Sequence, residues 1–380
     1  MAFKPFDEET LQQALDLHAA HGSSAAAARV INIPVSSFKH RVNEARAKGL
    51  QPQVQVIPRH AAIPEGYKLK GTSTLFNGAG EMTQQWVKTD AKLEELQRMQ
   101  RAALDGLMAE LKPIARIKAP KVTSADLLTL YTLTDCHVGM LAWDKEAGED
   151  WDLKIAEKCL VETFTRMIDA APASKVGIVN QLGDFLHFDS LAPMTPTNHH
   201  ILDADSRYQK MVEVAVQILR RVIEHALTKH DNVQVYMHEG NHDPAGSVWL
   251  RVMFAQLYKN NPRVHVGMSP NPYVAYRFGK TLLGFHHGHL TKLNNLPQIF
   301  AAKFSQEWGA TEYRYVHTGH KHHVEEKEHP GIKVVQHPTL AAPDAYAARG
   351  GWLSKRQATS MTYHREHGEI ARGIFIPTKD

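Results

Sequence analysis

Read for the spacing of its apolar positions, the chain opens with helices and then turns to short strand-like runs alternating with amphipathic stretches. From about Phe6 to His21, Leu11, Ala14, Leu15 and His18 recur at helical spacing, and Gly22 breaks the pattern. Ser23 or Ser24 can cap a second, alanine-rich helix from Ala25 to Val30, which Ile33 and Pro34 end. Ser36 or Ser37 can cap a third from Phe38 to about Lys48, closed by Gly49. Three short helices with a tight connection before the last follow the helix-turn-helix plan. Residues 51–89 read as irregular chain with a hairpin, Gly66–Phe76 and Gln84–Lys88 about a turn at Asn77–Gly80. From Asp90 to Leu111 the leucines at 93, 96, 104, 107 and 111 predict an amphipathic helix, either a short coiled coil or a helix packed on the main domain. Lys112-Pro113 and Ala119-Pro120 mark a basic linker. The division expected is 1–50 helical module, 51–125 hairpin, helix and linker, and 126–380 main domain.

The main domain repeats one arrangement, an aliphatic or β-branched run that ends in metal-binding residue types. Leu128–Thr134 leads into Asp135-Cys136-His137, and Lys175–Leu182 into Gly183-Asp184-Phe185-Leu186-His187. Val233–Met237 leads into Gly240-Asn241-His242-Asp243, and Thr281–Phe285 into His286-His287-Gly288-His289. Tyr313–His317 leads into Gly319-His320-Lys321-His322-His323. Helical stretches at about Leu153–Ala170 and Arg207–His230 separate the first three, which argues for a layered α/β domain with its site at strand C-termini. In extended chain residues i and i+2 point the same way, so Asp135 with His137, and His320 with His322, would each grip one ion. Glycines before Asp184, Asn241 and His320 would let the backbone turn sharply there. Asp and Asn oxygens mixed with imidazoles suit Mn, Fe or Zn better than Ca. Segment 188–207, following His187, reads either as a loop shaping substrate access or as plain surface.

Composition narrows the class. With 43% hydrophobic and 22% charged residues, the 380-residue chain is of ordinary globular type, and no apolar run approaches a membrane span. The start lacks a hydrophobic signal core, and two cysteines, Cys136 and Cys159, make no disulfide framework; a cytoplasmic location, in a bacterium or a phage-infected host, is expected. Residues 1–125 hold 17 Lys and Arg against 12 Asp and Glu, while 126–380 hold 27 against 28. Of the 24 histidines, twenty follow residue 125, and their order along five strand ends carries more weight than their number. In the front module Lys39, Arg41, Arg46 and Lys48 face only Glu44 on the third helix, a pattern that suits phosphate contacts in a DNA groove. A protein–protein module, with the chain a homodimer, is the alternative.

Asp-x-His, Gly-Asp, Gly-Asn-His-Asp, His-Gly-His and Gly-His-x-His, in that order over roughly residues 126–376, resemble the calcineurin-like metallophosphoesterase superfamily. The resemblance implies a calcineurin-like β-sandwich flanked by helices, joined here to a small all-α helix-turn-helix domain. It implies two divalent ions, Mn2+ first and Fe2+, Zn2+ or Ni2+ as alternatives. Asp135, His137 and His322 would hold one ion, Asn241, His287 and His320 the other, and Asp184 would bridge them. His287 is taken because the family's ligand directly precedes the glycine; His286 is the alternative. His242 resembles the family's catalytic histidine. The run Gly183–His187 is similar to that of SbcD-type DNA repair exonucleases, where the terminal His assists phosphate positioning, which implies a catalytic His187. A helix-turn-helix module joined to such an esterase is similar to enzymes encoded by bacteriophages. The activity implied is phosphodiester hydrolysis by a two-metal-activated hydroxide, with DNA as partner and substrate. A small-molecule or RNA phosphodiesterase, or a DNA-binding regulator with a vestigial site, are the other readings.

Overall fold

A computed structural model describes residues 6–52, 67–77, 82–91, 117–196, 198–352 and 354–378. The chain divides into two compact units, Met1–Gly106 and Leu107–Asp380.

In the first unit α1 (Glu8–His21), α2 (Ser24–Val30) and α3 (Val35–Ala47) bury Leu11, Leu15, Ala27, Ala28, Phe38 and Val42 in one small core. Asp7 caps α1 by accepting from Thr10 N–H at 2.7 Å, and Gly22 ends it in the left-handed region. Ser23 caps α2. The start of α3 differs from expectation. The helix begins three residues before Phe38, directly after Pro34, and Ser36 and Ser37 lie in its first turn, where no side-chain cap is made. Proline already has the φ a helix entry needs and no N–H to satisfy, so it starts the helix without a serine. β1 (Tyr67–Phe76) and β2 (Met82–Ala91) form the expected antiparallel hairpin, with β2 longer at both ends than its apolar pattern suggested. The helix expected at 90–111 lies outside the described residues apart from its first two positions, which belong to β2.

The second unit has two sheets with helices, a mixed α/β architecture. Its elements are β3 (Ser124–Leu133), α4 (Asp144–Ala147), α5 (Leu153–Ala170), β4 (Ser174–Gln181), α6 (Tyr208–Lys229), β5 (Asn232–Met237) and α7 (Pro244–Leu257). They continue with β6 (Val264–Val266), β7 (Val274–Phe278), β8 (Thr281–Phe285), α8 (Leu296–Lys303), α9 (Ser305–Gly309) and β9 (Tyr313–Thr318). The last are β10 (Glu325–His329), β11 (Ile332–Gln336), α10 (Ala345–Gly350), β12 (Ala358–His364) and β13 (Gly368–Phe375). One sheet has the order β13-β12-β3-β4-β5-β6 and the other β10-β11-β9-β8-β7. β3 to β6 run parallel in the first, and β8, β9 and β11 run parallel in the second.

Alternation along the strands explains why two sheets meet. Leu128 and Leu130 of β3, Val176 and Ile178 of β4, Leu283 and Phe285 of β8, and Met361 and Tyr363 of β12 share one core cluster. The opposite face of the first sheet is covered by helices. Asp152 caps α5 at Ile155 N–H, and α6 buries Met211, Ala215, Leu219, Val222 and Ala226 one turn apart against β4 and β5. On the second sheet α8 packs on β11 through Leu296 and Phe300. With five parallel strands from the two sheets ending together, the loops after β3, β4, β5, β8 and β9 converge. Among the described residues no helix is long and apolar enough to cross a membrane.

Candidate metal centre

Each of those five loops delivers the residues its motif contains. Asp135 and His137 follow β3, Asp184 follows β4, Asn241 and His242 follow β5, His287 follows β8, and His320 and His322 follow β9. Donor atoms of Asp135, His137 and His322 lie within 4.8 Å of one another, as do those of Asp184, His287 and His320. Asp135, His137, Asp184 and His287 are all buried.

The backbone reaches this convergence by a route other than the extended one expected from sequence. Asp135, His137, Asp184, His320 and His322 have φ of 51°, 43°, 48°, 72° and 57°, in the left-handed region that non-glycine residues avoid. The i, i+2 pairs therefore meet through two left-handed residues, and the pleat of a strand has no part in it. Such strain persists only where surrounding contacts hold it, and it collects at functional sites. The glycines also act differently. Of the three glycines before Asp184, Asn241 and His320, Gly183 alone has a positive φ, 95°, and supplies a sharp turn. Gly240 and Gly319 are needed for close approach, since a Cβ would lie 2.0 Å from Asp184 Oδ1 at the first and 2.0 Å from Thr134 Oγ1 at the second.

Backbone donors from facing loops orient the carboxylates. His320 N–H donates to Asp135 at 2.9 Å, and His242 N–H donates to Asp184 Oδ1 at 2.8 Å. Thr134 Oγ1 donates to Asp135 Oδ2 at 2.6 Å. His287 Nδ1–H donates to Leu182 O at 2.7 Å, which leaves Nε2 as the ring atom facing the carboxylates. That Nε2 lies 3.2 Å from Asp184 Oδ2 and 3.9 Å from Asp135 Oδ1. His286, by contrast, stacks on Tyr273 at 4.5 Å and accepts from Gly288 N–H, so it is His287 that turns to the carboxylates.

Burial opposes charge on both aspartates, but the imidazoles of His322 and His287 beside Asp135, and of His287 beside Asp184, hold both carboxyls below the usual range. Burial likewise opposes charging of His287, yet Asp184 and Asp135 outweigh it and push the ring up to about 10. His322 is raised by Asp135 against the same burial. Burial, then His242 and His322, holds His137 well below 6.5, and burial with His287 brings His320 to about 4. Two buried carboxylates ringed by imidazoles are a natural seat for positive charge. The donor set fits divalent ions on a second ground: Asn241 Oδ1 and His287 Nε2 are buried without an aligned hydrogen-bond partner.

His242 Nδ1–H donates to His187 O at 2.8 Å, and its ring stacks on His187 at 5.6 Å. His187 Nδ1 is 3.3 Å from His137 Nδ1, and His137 Nε2 is 3.3 Å from His322 Nε2. Burial and then His242 push His187 down to about 3. A cavity of about 750 Å³ opens over the centre, its lining including His137, Asp184, Asn241, His242, His320 and His322 together with Thr339, Tyr346, Trp352 and Lys355. His187 is not among the lining residues; it sits behind His137 and His242. None of the described residues of segment 188–207 lines this cavity either.

Sequence reasoning gave no role to Asp243, the last residue of Gly-Asn-His-Asp. Its carboxylate accepts four backbone N–H groups: Asp184 and Gly240 at Oδ1, both at 3.0 Å, and Phe185 and Leu186 at Oδ2, at 2.8 and 3.1 Å. It thereby ties the loop after β5 to the loop after β4, and burial with the Asp184 charge pushes its carboxyl up to about 6. The motif's fourth position was the available signal. Thr339, whose hydroxyl donates to Asp135 O, had none.

In the helical unit the four basic residues of interest all belong to α3 or its end, but they are not equivalent. Arg41 lies over the Phe6 ring at 5.0 Å, and Lys48 pairs with Glu44 at 3.1 Å, while Lys39 and Arg46 are exposed.

No protein-family model matches this chain, and no curated protein matches it. Solved structures do. A predicted phosphoesterase from Streptococcus pneumoniae TIGR4 is similar at 12% identity, over 66% of this chain and 99% of that one, with a TM-score of 0.30. A novel archaeal phosphodiesterase is similar at 10% identity, over 65% and 99%, with a TM-score of 0.33. A dimetal phosphatase from Danio rerio is similar at 10% identity, over 66% and 99%, with a TM-score of 0.35. The functional reading rests on the site's own residues.

Proposed function

We propose that the chain is a binuclear metal-dependent phosphodiesterase whose substrate is DNA. The observation that carries this reading is the pair of buried carboxylates, Asp135 and Asp184, meeting His137, His322, His287 and His320 at four strand ends beneath an open cavity. Asp135, His137 and His322 would hold one ion, and His287, His320 and Asn241 the other, with Asp184 between them; Mn2+ is the first choice. A pair of divalent ions so held supplies neutralisation of phosphate oxygens and a nucleophile at neutral pH.

The chain's own side chains do the rest. His242, with Nδ1–H committed to His187 O, presents its other ring nitrogen to the cavity, where it stabilises or protonates the leaving oxygen. His187 acts through its neighbours: by accepting from His137 and stacking on His242 it orients two rings, so we assign it as a positioning residue. Asp243 holds the Asp184 and Gly240 backbones at hydrogen-bond distance. DNA is favoured as substrate by the three-helix unit, which we read as a helix-turn-helix module with Lys39 and Arg46 for phosphate contacts. A second reading, a small-molecule or RNA phosphodiesterase, is favoured by the cavity's volume of about 750 Å³, the size of a small-ligand site.

The test is incubation with Mn2+ and labelled single-stranded DNA, double-stranded DNA, RNA and a chromogenic phosphodiester. Asp184→Ala should abolish cleavage, and His242→Ala should lower it about 10²- to 10⁴-fold with metal binding retained. Hydrolysis of the small ester with DNA intact would sink the nuclease reading. Activity persisting in Asp184→Ala would sink the site.

A further inference from the structure

The wall of the cavity formed by the segment after β11 has a composition that phosphate chemistry does not explain. It carries two large aromatic side chains that the fold leaves in solvent, Tyr346 at 72% and Trp352 at 56% exposure. Large rings are normally withdrawn from water, and where they are exposed beside polar groups they mark binding surfaces. These two are placed deliberately. Their ring centroids lie 5.0 Å apart at 66°, so they form a corner. The indole rests on Gly350, where a Cβ would lie 2.9 Å from two ring atoms, so only glycine lets it sit there. Gly351, at φ 68°, turns the chain out of α10, and Trp352 N–H donates back to Ala347 O at 3.1 Å.

The segment bearing the corner is pinned at both ends, and between them Arg349 pairs with Glu146 at 2.8 Å and Ala341 and Ala342 are buried beside Met140 and Trp151. At one end Thr339 donates to Asp135 O and accepts Gln357 N–H on its carbonyl. At the other, Arg356 pairs with Glu149, donates to Leu340 O and lies over Trp151 at 4.9 Å. Arg356 is thus a structural cation, while Lys355 and Lys321, both exposed, stand on the rim of the same cavity.

A site for a phosphodiester, exposed cations and an aromatic corner within one cavity match a ligand with three parts: a phosphodiester, further backbone charge and a flat π-face. A nucleotide within a strand has all three, with the base joined to the phosphate by one sugar; a phosphoserine or a simple alkyl ester lacks the flat face, and a phosphotyrosine is a monoester without further backbone charge. We propose that Tyr346 and Trp352 form a nucleobase-stacking subsite, so that the substrate is a nucleotide phosphodiester whose base stacks on Trp352. The cleavage part of this statement rests on the phosphodiesterase reading above; the stacking part does not.

Two measurements on the full chain separate them. Titration with thymidine 5′-monophosphate and with baseless 2-deoxyribose 5-phosphate, followed by tryptophan fluorescence and calorimetry, reads the base alone. Stacking on an aromatic ring corresponds to about 5- to 150-fold in affinity per base, so the nucleotide should bind tighter by that order. Trp352→Ala and Gly350→Ala should collapse the ratio of the two affinities towards one, and Trp352→Phe should keep most of it. Hydrolysis of thymidine 5′-(p-nitrophenyl phosphate) against methyl p-nitrophenyl phosphate with Mn2+ reads the same ratio in kcat/KM. Equal affinity for both ligands in the unmodified protein overturns the subsite, as does a Trp352→Ala variant that weakens both alike. Preferential nucleotide binding without hydrolysis of either ester leaves the subsite standing and removes the phosphodiesterase reading. Hydrolysis of both esters at equal efficiency does the reverse.

Discussion

Asp184 on the floor of the cavity and Asp135 beneath it are buried, accept backbone N–H groups from facing loops, and sit on left-handed backbone held by close-packed glycines. Tyr346 and Trp352 on its wall are exposed, although their segment is secured near residues 339 and 356 and by Arg349 on Glu146. Both regions contain glycines with constrained surroundings, yet the constraint differs. On the floor the obstacle is another residue's backbone and carboxylate. On the wall, at Gly351, nothing lies within 4 Å and only the sign of φ matters. The floor tolerates no displacement because its donors must converge on a point, while the wall need only present a face.

The sharpest way to break that contrast is to add one methyl group to each region. In Gly240→Ala the new carbon would lie 2.0 Å from Asp184 Oδ1 and 2.3 Å from Asp184 N, neither of which is the far end of a flexible chain. The loops after β4 and β5 must separate, so we expect loss of about 3 kcal/mol or more of stability, together with loss of metal binding by calorimetry. Gly351→Ala carries only the penalty of a left-handed alanine, about 1 kcal/mol, and should keep its metal. Equal metal affinity in the two variants would show that the floor is no more exacting than the wall.

Asp243→Asn is the next largest. An amide offers one acceptor oxygen where the carboxylate offers two, so two of the four N–H groups it holds would face an NH2 group. At about 1–3 kcal/mol for each buried unpaired donor, the urea midpoint should fall by an amount equivalent to about 2–6 kcal/mol. Metal affinity should fall about 10- to 100-fold, as when residues that orient a ligand are removed. A variant within about 0.5 kcal/mol of the parent would remove Asp243 from this role.

The same contrast governs how much could be read from the chain. The ends of α5 and β8 lay within a residue of the helical and strand-like patterns, because α5 buries residues at helical spacing and β8 is an apolar run buried at all five positions. The residues of the floor were legible as types in order, since Asp, Asn and His after aliphatic runs have few other uses. How they converge was not: a left-handed aspartate looks like any other aspartate in sequence, and the need for Gly240 arises from Asp184, far away in the chain. The interior strand β12, between β13 and β3, was missed altogether. It reads Ala-Thr-Ser-Met-Thr-Tyr-His, and Thr359, Ser360 and Thr362 are buried in it with only Met361 and Tyr363 to signal a core face. The aromatic corner could not be seen as a corner either, because Tyr346 and Trp352 meet only through the turn at Gly351.

The smallest expected effect concerns protons, and it too separates floor from wall. An imidazole in the unfolded chain gives up its proton near 6.5, whereas in His287 burial opposes the charge but the stronger pull of Asp184 and Asp135 keeps the ring protonated up to about 10 without metal. The raised value means that the proton stabilises the metal-free fold fully below 6.5, and that this contribution is lost as pH rises through about 10. A divalent ion needs the neutral ring, so binding must expel that proton, and metal affinity rises across the same window by up to about tenfold per pH unit. Titrating metal at pH 6.5, 7.5 and 8.5 should therefore show progressively tighter binding. Calorimetry in two buffers of different ionisation enthalpy should show release of about one proton or more, since His322 is raised in the same direction. Trp352→Ala has no proton to expel and should keep this slope, whereas His287→Ala should flatten it as well as weaken binding. A pH-independent affinity with no proton release would mean that His287 is not a ligand, and the centre would then have to be rebuilt from Asp135, His137 and His322 alone.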